Sequence, residues 1–569
     1  MLSTTYYLGV EIGAKHTRAW LFDNRAGSFE LRDSAVVNSS LGDSGEVASG
    51  VRAAIQALQN NAEVELFAQG SQKLAFSMTE GGLKGAGLTV SAGNLPRTVL
   101  VGVSETYSLA ALRRLAALFG CEVILTIHQQ DELNATAQLS RMMASNADLF
   151  VVAGGSNQGA TKPIQSALDN IRIIYENMPR VVKPQVVYTG NEACIADAQA
   201  AFEGSPDVHI AGNIQPEIGL EDQTVAWRAM LKAWQRIKRA ELPGLDEVER
   251  LLTAQAQPTI FAAGRVMRLL DQMNPNGKGV MALDLGQTEA RVVAARKDQL
   301  TGQISRDEKD LSLAKDAHQY LSQPLDQELV EAYLLNKSLM PDMVPSTLDE
   351  LTIEQALARA KISQVFKKVQ ELNPIVGYQH WHGLNDPYEP IILSGEIFCN
   401  ASEISQALLM AVDGIQPCGI TTFVLDQYQV TPVLGALAEF EPMLVVQVID
   451  SGVYESLGTV VGVDSPEKAG KKVLEIEVDE NLPERRRLTI LKGELKRIET
   501  FGAEKTSLYF SPTSSSEVGM GLRGLGGWLR AYDTQVGVVI DARGRPLELA
   551  SDAVLRAKQL GDWAWELSK

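Results

Sequence analysis

Two stretches of the chain nearly repeat each other: Leu8-Gly-Val-Glu-Ile-Gly-Ala-Lys-His-Thr-Arg-Ala-Trp20 and Met281-Ala-Leu-Asp-Leu-Gly-Gln-Thr-Glu-Ala-Arg-Val-Val293. In each stretch an apolar run ends in an acidic residue, a glycine follows two positions later, and an arginine stands seven positions after the acid. Apolar residues resume after the arginine. This pattern predicts a strand, a tight turn at the glycine and a second strand, which together form a β-hairpin with an acidic residue at its mouth.

Such a hairpin can hold phosphate groups. Glycine lets backbone N–H groups approach phosphate oxygens, and a nearby carboxylate can reach the accompanying Mg²⁺ through water. Two copies facing each other would form a clamp, whereas the alternative is two ordinary hairpins with polar tips. The repetition favours the clamp. The repeated positions are the acids Glu11 and Asp284, the glycines Gly13 and Gly286, and the arginines Arg18 and Arg291.

The composition is that of a globular protein with several domains. The chain has 569 residues, of which 45% are hydrophobic and 21% charged, and this length predicts about three to five domains. The net charge of −18 argues against nucleic acid or an anionic membrane as a general partner, because both would be repelled at long range. The first residues carry no basic and apolar leader pattern, and no run of about 18 apolar residues occurs. We therefore expect a cytoplasmic protein.

The pattern of apolar runs predicts an α/β fold with four domains. Residues 1–70 form the first half of a duplicated body, and residues 216–440 form its second half with a helical insertion. Between them, residues 71–215 alternate short apolar runs with amphipathic helices, which predicts an inserted, doubly wound, Rossmann-like domain. Some runs in this insertion end in glycine-containing loops, which are equally consistent with a ligand surface and with ordinary turns. The runs are Thr98–Val103, Glu122–Ile127, Ala147–Ala153 and Gln185–Thr189.

Residues 441–569 have short strand patterns separated by turn residues, which predicts a β-rich barrel or sandwich. Within this region Asp541-Ala-Arg-Gly-Arg-Pro546 resembles a functional motif. A hairpin tip with its arginines in solvent explains the motif more simply, and we favour that interpretation. The predicted strands are Leu444–Ile449, Val473–Val478, Arg487–Leu491, Thr506–Phe510 and Gln535–Ile540.

The stretch Pro390-Ile-Ile-Leu-Ser-Gly-Glu396 predicts a buried strand that ends in a turn at Ser394 and Gly395. A helix pattern follows at residues 404–412. A strand, a turn of small residues and a helix form a place where an adenosine can lie against the backbone.

The duplicated hairpins resemble the two phosphate motifs of the actin, Hsp70 and sugar-kinase superfamily. Further motifs resemble, in the same order, signatures of the glutamate-mutase-associated MutL family, which is unrelated to the mismatch-repair protein of similar name. The resemblance runs from residue 8 to about residue 440. Its motifs are Glu80–Lys84, Ala110–Gly120, Asp148–Gly155, Val187–Asn191 and Asn213–Gly219.

The resemblance implies an ATP-binding protein with an actin-like ATPase (ribonuclease H-like) body. It also implies a chaperone or reactivating factor for an adenosylcobalamin-dependent mutase. Under this hypothesis Asp284 would anchor Mg²⁺ or orient the attacking water, and Glu11 would hold a further water. The residues that would contact the nucleotide are Gly13, Lys15, Thr17, Gly286, Thr288, Ser394 and Gly395.

The sequence departs from the family pattern at several of these positions. Glu11 stands where the superfamily prefers Asp, Gly286-Gln-Thr-Glu-Ala-Arg291 replaces a Gly-Gly-Ala-Thr-Thr-Asp run, and Glu396 follows the adenosine turn. Three hypotheses therefore stay open: an active ATPase, an actin-like scaffold that interacts with its partner independently of nucleotide, and a small-molecule kinase. The kinase hypothesis requires a general base that the sequence does not identify.

Overall fold

The computed structural model describes residues 4–25, 27–42, 45–77, 81–128, 135–159, 161–178, 183–274, 277–306, 311–372, 388–479, 486–500 and 505–569. The chain forms two compact units. The first comprises Met1–Val266, Gln299–Gly302 and Val430–Gly452, and the second comprises Met267–Asp298, Gln303–Gln429 and Val453–Lys569.

The strands are, in chain order, β1 (Thr5–Ile12), β2 (His16–Arg25), β3 (Ser28–Asn38), β4 (Gly82–Val90), β5 (Arg97–Val101), β6 (Glu122–Ile127), β7 (Leu149–Val152), β8 (Gln185–Tyr188), β9 (Val208–Ile210), β10 (Ala256–Pro258), β11 (Gly279–Leu285), β12 (Glu289–Arg296), β13 (Gln299–Arg306), β14 (Tyr388–Ser394), β15 (Gly419–Leu425), β16 (Glu455–Gly462), β17 (Lys472–Asp479), β18 (Arg486–Leu491), β19 (Leu495–Ile498), β20 (Lys505–Pro512), β21 (Gly527–Tyr532) and β22 (Gly537–Asp541).

The α-helices are α1 (Val47–Ala62), α2 (Ala110–Leu118), α3 (Ala135–Ala144), α4 (Lys162–Asn177), α5 (Ile195–Ala201), α6 (Thr224–Glu241), α7 (Leu245–Leu252), α8 (Thr259–Met273), α9 (Leu311–His318), α10 (Gln327–Leu339), α11 (Leu348–Leu372), α12 (Glu396–Cys399), α13 (Ile404–Ile415), α14 (Thr431–Leu437), α15 (Pro442–Val448) and α16 (Ala553–Ser568). None of the helices in the described part of the chain is long and apolar enough to cross a membrane.

The first unit is built on a five-stranded sheet in the order β10-β4-β1-β2-β3. Strands β1, β2 and β3 are antiparallel neighbours, while β4 runs parallel to β1 and β10 runs parallel to β4. Leu8 and Val10 on β1 contribute to a core that also includes apolar residues of α1 and α7. A Cβ atom at Gly9 would lie 2.4 Å from Val433 Cγ2, so the missing side chain allows α14 to approach the sheet.

The inserted sheet within the first unit is parallel throughout, in the order β6-β5-β7-β8-β9. Its core is formed by strand residues such as Val99 and Phe150 together with apolar residues of α4. Because the helices cover both faces, the strands are apolar runs rather than alternating ones. The strands predicted from these runs are confirmed.

The second unit repeats the arrangement of the first. Its sheet begins in the order β13-β12-β11-β14-β15, with β14 parallel to β11 and β15 parallel to β14. Three more strands, β16, β22 and β19, continue the same sheet to eight strands. Helices α11, α13 and α16 contribute to the core of this sheet, including Trp563 from α16.

A four-stranded antiparallel sheet, β18-β17-β20-β21, lies in the C-terminal part of the second unit. Its inner residues share a core with Val461 of β16 and neighbouring residues, and with Val538 and Ile540 of β22. The strands predicted around residues 473–478, 487–491, 506–510 and 535–540 are confirmed.

One predicted strand is wrong. Leu444–Ile449 falls mostly in helix α15, which begins at Pro442. Proline is favoured in the first helical turn because its fixed φ suits the helix and its missing N–H has no partner there. A short run of apolar residues does not distinguish a buried strand from a buried helical turn, and the flanking proline decides for the helix.

Candidate functional site

The two repeated stretches form hairpins with the same register. Glu11 on β1 pairs with Arg18 on β2, and Asp284 on β11 pairs with Arg291 on β12. The guanidinium of Arg18 lies 3.7 Å from the Glu11 carboxylate, and that of Arg291 lies 3.5 Å from the Asp284 carboxylate. The predicted hairpins with an acid at the mouth are therefore confirmed, and each acid lies beside its cross-strand arginine.

The turns of the two hairpins also match. The N–H of Gly13 donates to the carbonyl of His16 at 2.9 Å, and the N–H of Gly286 donates to the carbonyl of Glu289 at 3.0 Å. Both amides therefore already have a hydrogen-bond partner within their own hairpin. Gln287 and Thr288 lie at the tip of the second turn, between β11 and β12.

The first hairpin is closely surrounded by polar groups. Glu11 is 5% exposed, and its Oε1 accepts long hydrogen bonds from Ser91 at 3.4 Å and from Thr259 at 3.3 Å. Lys15, at the turn, is exposed. Thr17 is buried and lies on the opposite face of the sheet from Arg18, because neighbouring strand residues point to opposite faces.

In the second hairpin, charged side chains contact one another in succession. Arg291 contacts both Asp284 and the buried Glu289, and Arg306 Nε donates to Glu289 at 2.6 Å. Burial alone would raise the pKa of the Glu289 carboxyl, yet the guanidinium groups of Arg291 and Arg306 outweigh burial and hold that pKa below its usual range. Glu289 therefore stays ionised and orients Arg291 beside Asp284.

Ser394 and Gly395 end strand β14 next to the second hairpin. Ser394 is the register partner of Asp284, so the predicted adenosine turn and the acid lie side by side. Gly395 has φ = 96°, and a Cβ atom there would lie 2.5 Å from the carbonyl oxygen of Leu285. Only glycine fits this close approach of the two backbones. Helix α12 follows directly.

A small pocket of about 40 Å³ opens beside the second hairpin. Gln287 and Thr288 of the turn form one end of it, and Lys361 of α11 lies there with its ammonium 3.2 Å from the Gln287 carbonyl. The remaining lining is contributed mainly by the three helices α9, α10 and α11: Leu313, Tyr333, Leu334, Lys337, Ser338, Glu354, Leu357 and Ala358, together with Ile397 of α12.

Two polar atoms in this pocket lack partners. Tyr333 Oη and Gln287 Oε1 are buried and have no hydrogen bond within the described part of the chain. Buried polar atoms normally have partners, so these two atoms are available to bond to a water or a ligand. Lys337 and Glu354 form an ion pair of 2.6 Å at the same pocket. The sequence did not predict these helix residues, because their patterns indicated only amphipathic helices.

The lining combines apolar side chains with polar groups of several kinds. Apolar side chains can enclose a base, Tyr333 and Ser338 can bond to a sugar, and Lys361 with the turn amides can meet phosphate oxygens. The described residues contain no cluster of three or more His, Cys, Asp or Glu side chains suited to a metal ion.

The prediction that the Asp541–Pro546 motif is a solvent-exposed hairpin tip is wrong. Asp541 and Arg543 are fully buried, and so is the side chain of Arg545. Arg543 donates to both Asp541 oxygens at 2.9 Å and lies 2.8 Å from Asp413 of α13. Arg359 of α11 also bonds to Asp413 at 2.7 Å. We call these five residues the buried ion cluster.

These features define a class: an α/β protein with a duplicated sheet, an acid-bearing hairpin in each copy, and a polar pocket beside the second hairpin. The family model described as MutL protein matches residues 7–453, which is most of the chain. The chain belongs to this MutL family. The resemblance predicted from the motifs is thereby confirmed.

No curated protein matches the chain. Among solved structures, the nucleotide-free form of acetone carboxylase is similar at 9% identity and a TM-score of 0.32, covering 86% of this chain and 81% of that one. The diol dehydratase-reactivating factor in nucleotide-free form is similar at 10% identity and a TM-score of 0.30, covering 79% of this chain and 100% of that one. A glycerol dehydratase reactivase is similar at 11% identity and a TM-score of 0.27, covering 72% of this chain and 95% of that one. All three similarities are distant.

Proposed function

We propose that the protein binds ATP and acts as a reactivating factor or chaperone for an adenosylcobalamin-dependent mutase. Two observations support the proposal: membership of the MutL family, and the pocket whose unpartnered Tyr333 and Gln287 groups lie beside the second acid-bearing hairpin. The pocket is the main support for ATP binding, because it combines apolar side chains with polar groups at the position where the repeated hairpin pattern predicts phosphates.

We infer that the two repeated sheets are the halves of an actin-like ATPase body. The strand order β3-β2-β1-β4-β10 in the first unit and β13-β12-β11-β14-β15 in the second supports this inference, because duplication of one topology is the hallmark expected from the repeated hairpins. The domain boundaries predicted at residues 70, 215 and 440 stay predictions.

Several site residues then have a role in binding. The adenosine lies against Ser394 and Gly395, and Thr288 with Lys361 contacts the phosphate chain. Asp284 orients a water or the hydrated Mg²⁺, which supplies Lewis-acid stabilisation of the phosphoryl charge when it is bound. In the first unit, Glu11 holds a water. Of the other residues predicted at the first hairpin, Lys15 is exposed at the turn, whereas the Gly13 amide bonds to His16 and Thr17 is buried on the opposite face from Glu11.

Calorimetry with Mg-ATP tests this proposal. We expect the wild-type chain to bind, and we expect Asp284→Ala and Lys361→Met each to weaken binding at least about tenfold, as loss of one charged contact of roughly 1.5–3 kcal/mol predicts. Asp349→Ala changes an exposed acid at the start of α11 and serves as the matched control. The absence of any heat with millimolar nucleotide would overturn the proposal.

The partner requires a separate experiment. We expect a mutase subunit to co-purify with the tagged protein, and we expect ATP to change the amount recovered, because a reactivating factor cycles between nucleotide states. Co-purification in equal amount with and without ATP would contradict the nucleotide-driven role.

A nucleotide-independent scaffold is the second candidate function. The observation that favours it is the arginine beside each acid, at 3.7 Å and 3.5 Å, which partly neutralises the carboxylates before any ligand arrives. Glu396 after the turn adds a negative charge where a nucleotide would lie. A stable partner complex that persists in Asp284→Ala without nucleotide would support this alternative.

A further inference from the structure

Helix α10 has apolar side chains on two opposite faces. Its inner face is buried in a core shared with α9 and α11. On its outer face Leu329, Leu335 and Leu339 are 46%, 44% and 78% exposed, and Ala332 between them is exposed as well. These four positions follow one another at steps of three or four residues, so they lie on one side of the helix. A helix that is apolar on two faces is usually covered on both.

The connection from α10 to α11 continues this exposed apolar surface. Met340 directly follows α10, Val344 lies in the connection and Leu348 begins α11, and they are 61%, 77% and 73% exposed. Single apolar side chains in solvent are normal, but a concentration of six in one segment indicates an interaction site. We call these residues the α10 patch: Leu329, Leu335, Leu339, Met340, Val344 and Leu348.

Polar bonds hold the connection in place. The ammonium of Lys337 forms an ion pair of 2.6 Å with Glu354 of α11 and also donates to the Met343 carbonyl. The N–H and the hydroxyl of Ser346 both donate to the Glu350 carboxylate at 2.7 Å. The polar groups of the connection are thus bonded within the second unit, while its apolar side chains are in solvent. A patch formed in advance in this way loses little conformational freedom when a partner binds.

The rim of the α10 patch is acidic. Residues 322–350 contain six acidic residues and one lysine. Asp326, Glu328 and Asp342 are exposed, while the lysine, Lys337, is engaged by Glu354. A second copy of the chain docked through the same patch would place like charges against each other, and an anionic membrane would be repelled. A partner with an apolar centre and a basic rim is complementary in both respects.

We propose that the α10 patch binds a basic amphipathic helix of a partner protein. Helix α10 has 13 residues and is about 20 Å long, enough to pair with about four turns of a partner helix. Apolar side chains along one face of that helix pack against Leu335 and Leu339, and its lysines or arginines face the acids of the rim. The binding depends on the outer face of α10 and needs no nucleotide.

A designed helical peptide of about 20 residues, with leucines on one face and lysines on the other, is the probe for this surface. A matched peptide with glutamates in place of the lysines is the charge control. Fluorescence anisotropy with the full chain measures both affinities. We expect the lysine peptide to bind, with an affinity that falls as salt is added because the rim charges are exposed, and we expect the glutamate peptide not to bind.

Two double variants locate the binding. We expect Leu335→Ser with Leu339→Ser to weaken binding of the lysine peptide at least about tenfold, because a few central apolar contacts supply most of the affinity. Leu522→Ser with Leu525→Ser is the matched control, since these leucines of the second unit are 81% and 52% exposed and lie outside the patch. We expect the control to bind like the wild type and both variants to keep the wild-type thermal midpoint.

Several results would overturn the proposal. One is that the wild type does not bind the lysine peptide, or binds the glutamate peptide equally well. Another is that the patch variant binds like its control, or that its midpoint falls, which would mean that the leucines support the fold instead of a partner. Sedimentation supplies the last arm: a wild-type dimer that the patch variant converts to a monomer would show that a second copy covers the patch.

Discussion

Burial changes the pKa of a histidine in the inserted sheet. His209 on β9 is half-buried, and its ring lies 3.2 Å from the Gln185 side-chain oxygen. Burial, together with the positive charges of Arg236 and Lys232, lowers the pKa of His209 from 6.5 to about 4, against a smaller opposing effect of Asp207. The imidazole is therefore neutral in the folded protein at pH 7 and resists protonation on acidification.

This shift predicts a pH-dependent stability of the first unit. Between about pH 6.5 and pH 4 the unfolded chain binds a proton at His209 that the folded chain does not, so stability falls as the pH falls through this window. We expect the loss to be about 1 kcal/mol after allowance for solvent screening. Thermal unfolding of His209→Asn at pH 7 and pH 5 checks this, and a pH dependence equal to that of the wild type would contradict it.

At the scale of secondary-structure elements, the register of the hairpins could be predicted from the sequence. Contacts between segments that are remote in sequence could not. The spacing of acid, glycine and arginine sets which residues oppose each other across a two-stranded turn, because register follows from turn length. The buried ion cluster depends on Asp413, which is remote in sequence from Arg543. Gly544 between two arginines is typical of an exposed turn, and nothing local to the motif indicates its burial.

Loss of one arginine from the buried ion cluster is expected to lower the stability of the second unit. Burial alone would raise the pKa of Asp541, but Arg543 and Arg545 outweigh it and hold that pKa well below its usual range. Arg543→Met leaves Asp541 and Asp413 with fewer buried partners, so we expect a loss of about 3–5 kcal/mol in the free energy of unfolding.

Arg530→Met, at an exposed arginine of β21, is the control for that variant and should change stability by less than about 0.5 kcal/mol. Denaturant unfolding of both variants, followed through signals of the second unit, provides the measurement. Equal stability of the two variants would mean that the motif lies in solvent after all.

At the scale of the whole chain, the region after the family match is part of the second unit. Strands β16, β22 and β19 continue the sheet that begins with the second hairpin, and α16 contributes to the core of that sheet. The β-rich pattern of this region indicated a separate barrel or sandwich, because short strands and turns do not reveal which sheet they join.

This continuity predicts the outcome of truncation. A chain that ends at Val453 loses three strands of the eight-stranded sheet, the whole four-stranded sheet and α16. This loss exposes β15 as an edge and much of the core around Leu408. We expect such a fragment to be insoluble or to lack a cooperative transition for the second unit, while co-expression of residues 454–569 restores it. A soluble fragment with two cooperative transitions would show that the C-terminal region is an independent domain.

The sequence by itself determined the features that depend on local spacing. These are the two hairpins with their acids and arginines, the parallel strands of the insertion, the turn at Ser394 and Gly395, and the family. The tertiary structure decided what depends on packing between remote segments. It showed the pocket formed largely by α9, α10 and α11 and the buried ion cluster. Local periodicity specifies strands and turns, but only packing sets which side chains lose water and which partners they meet.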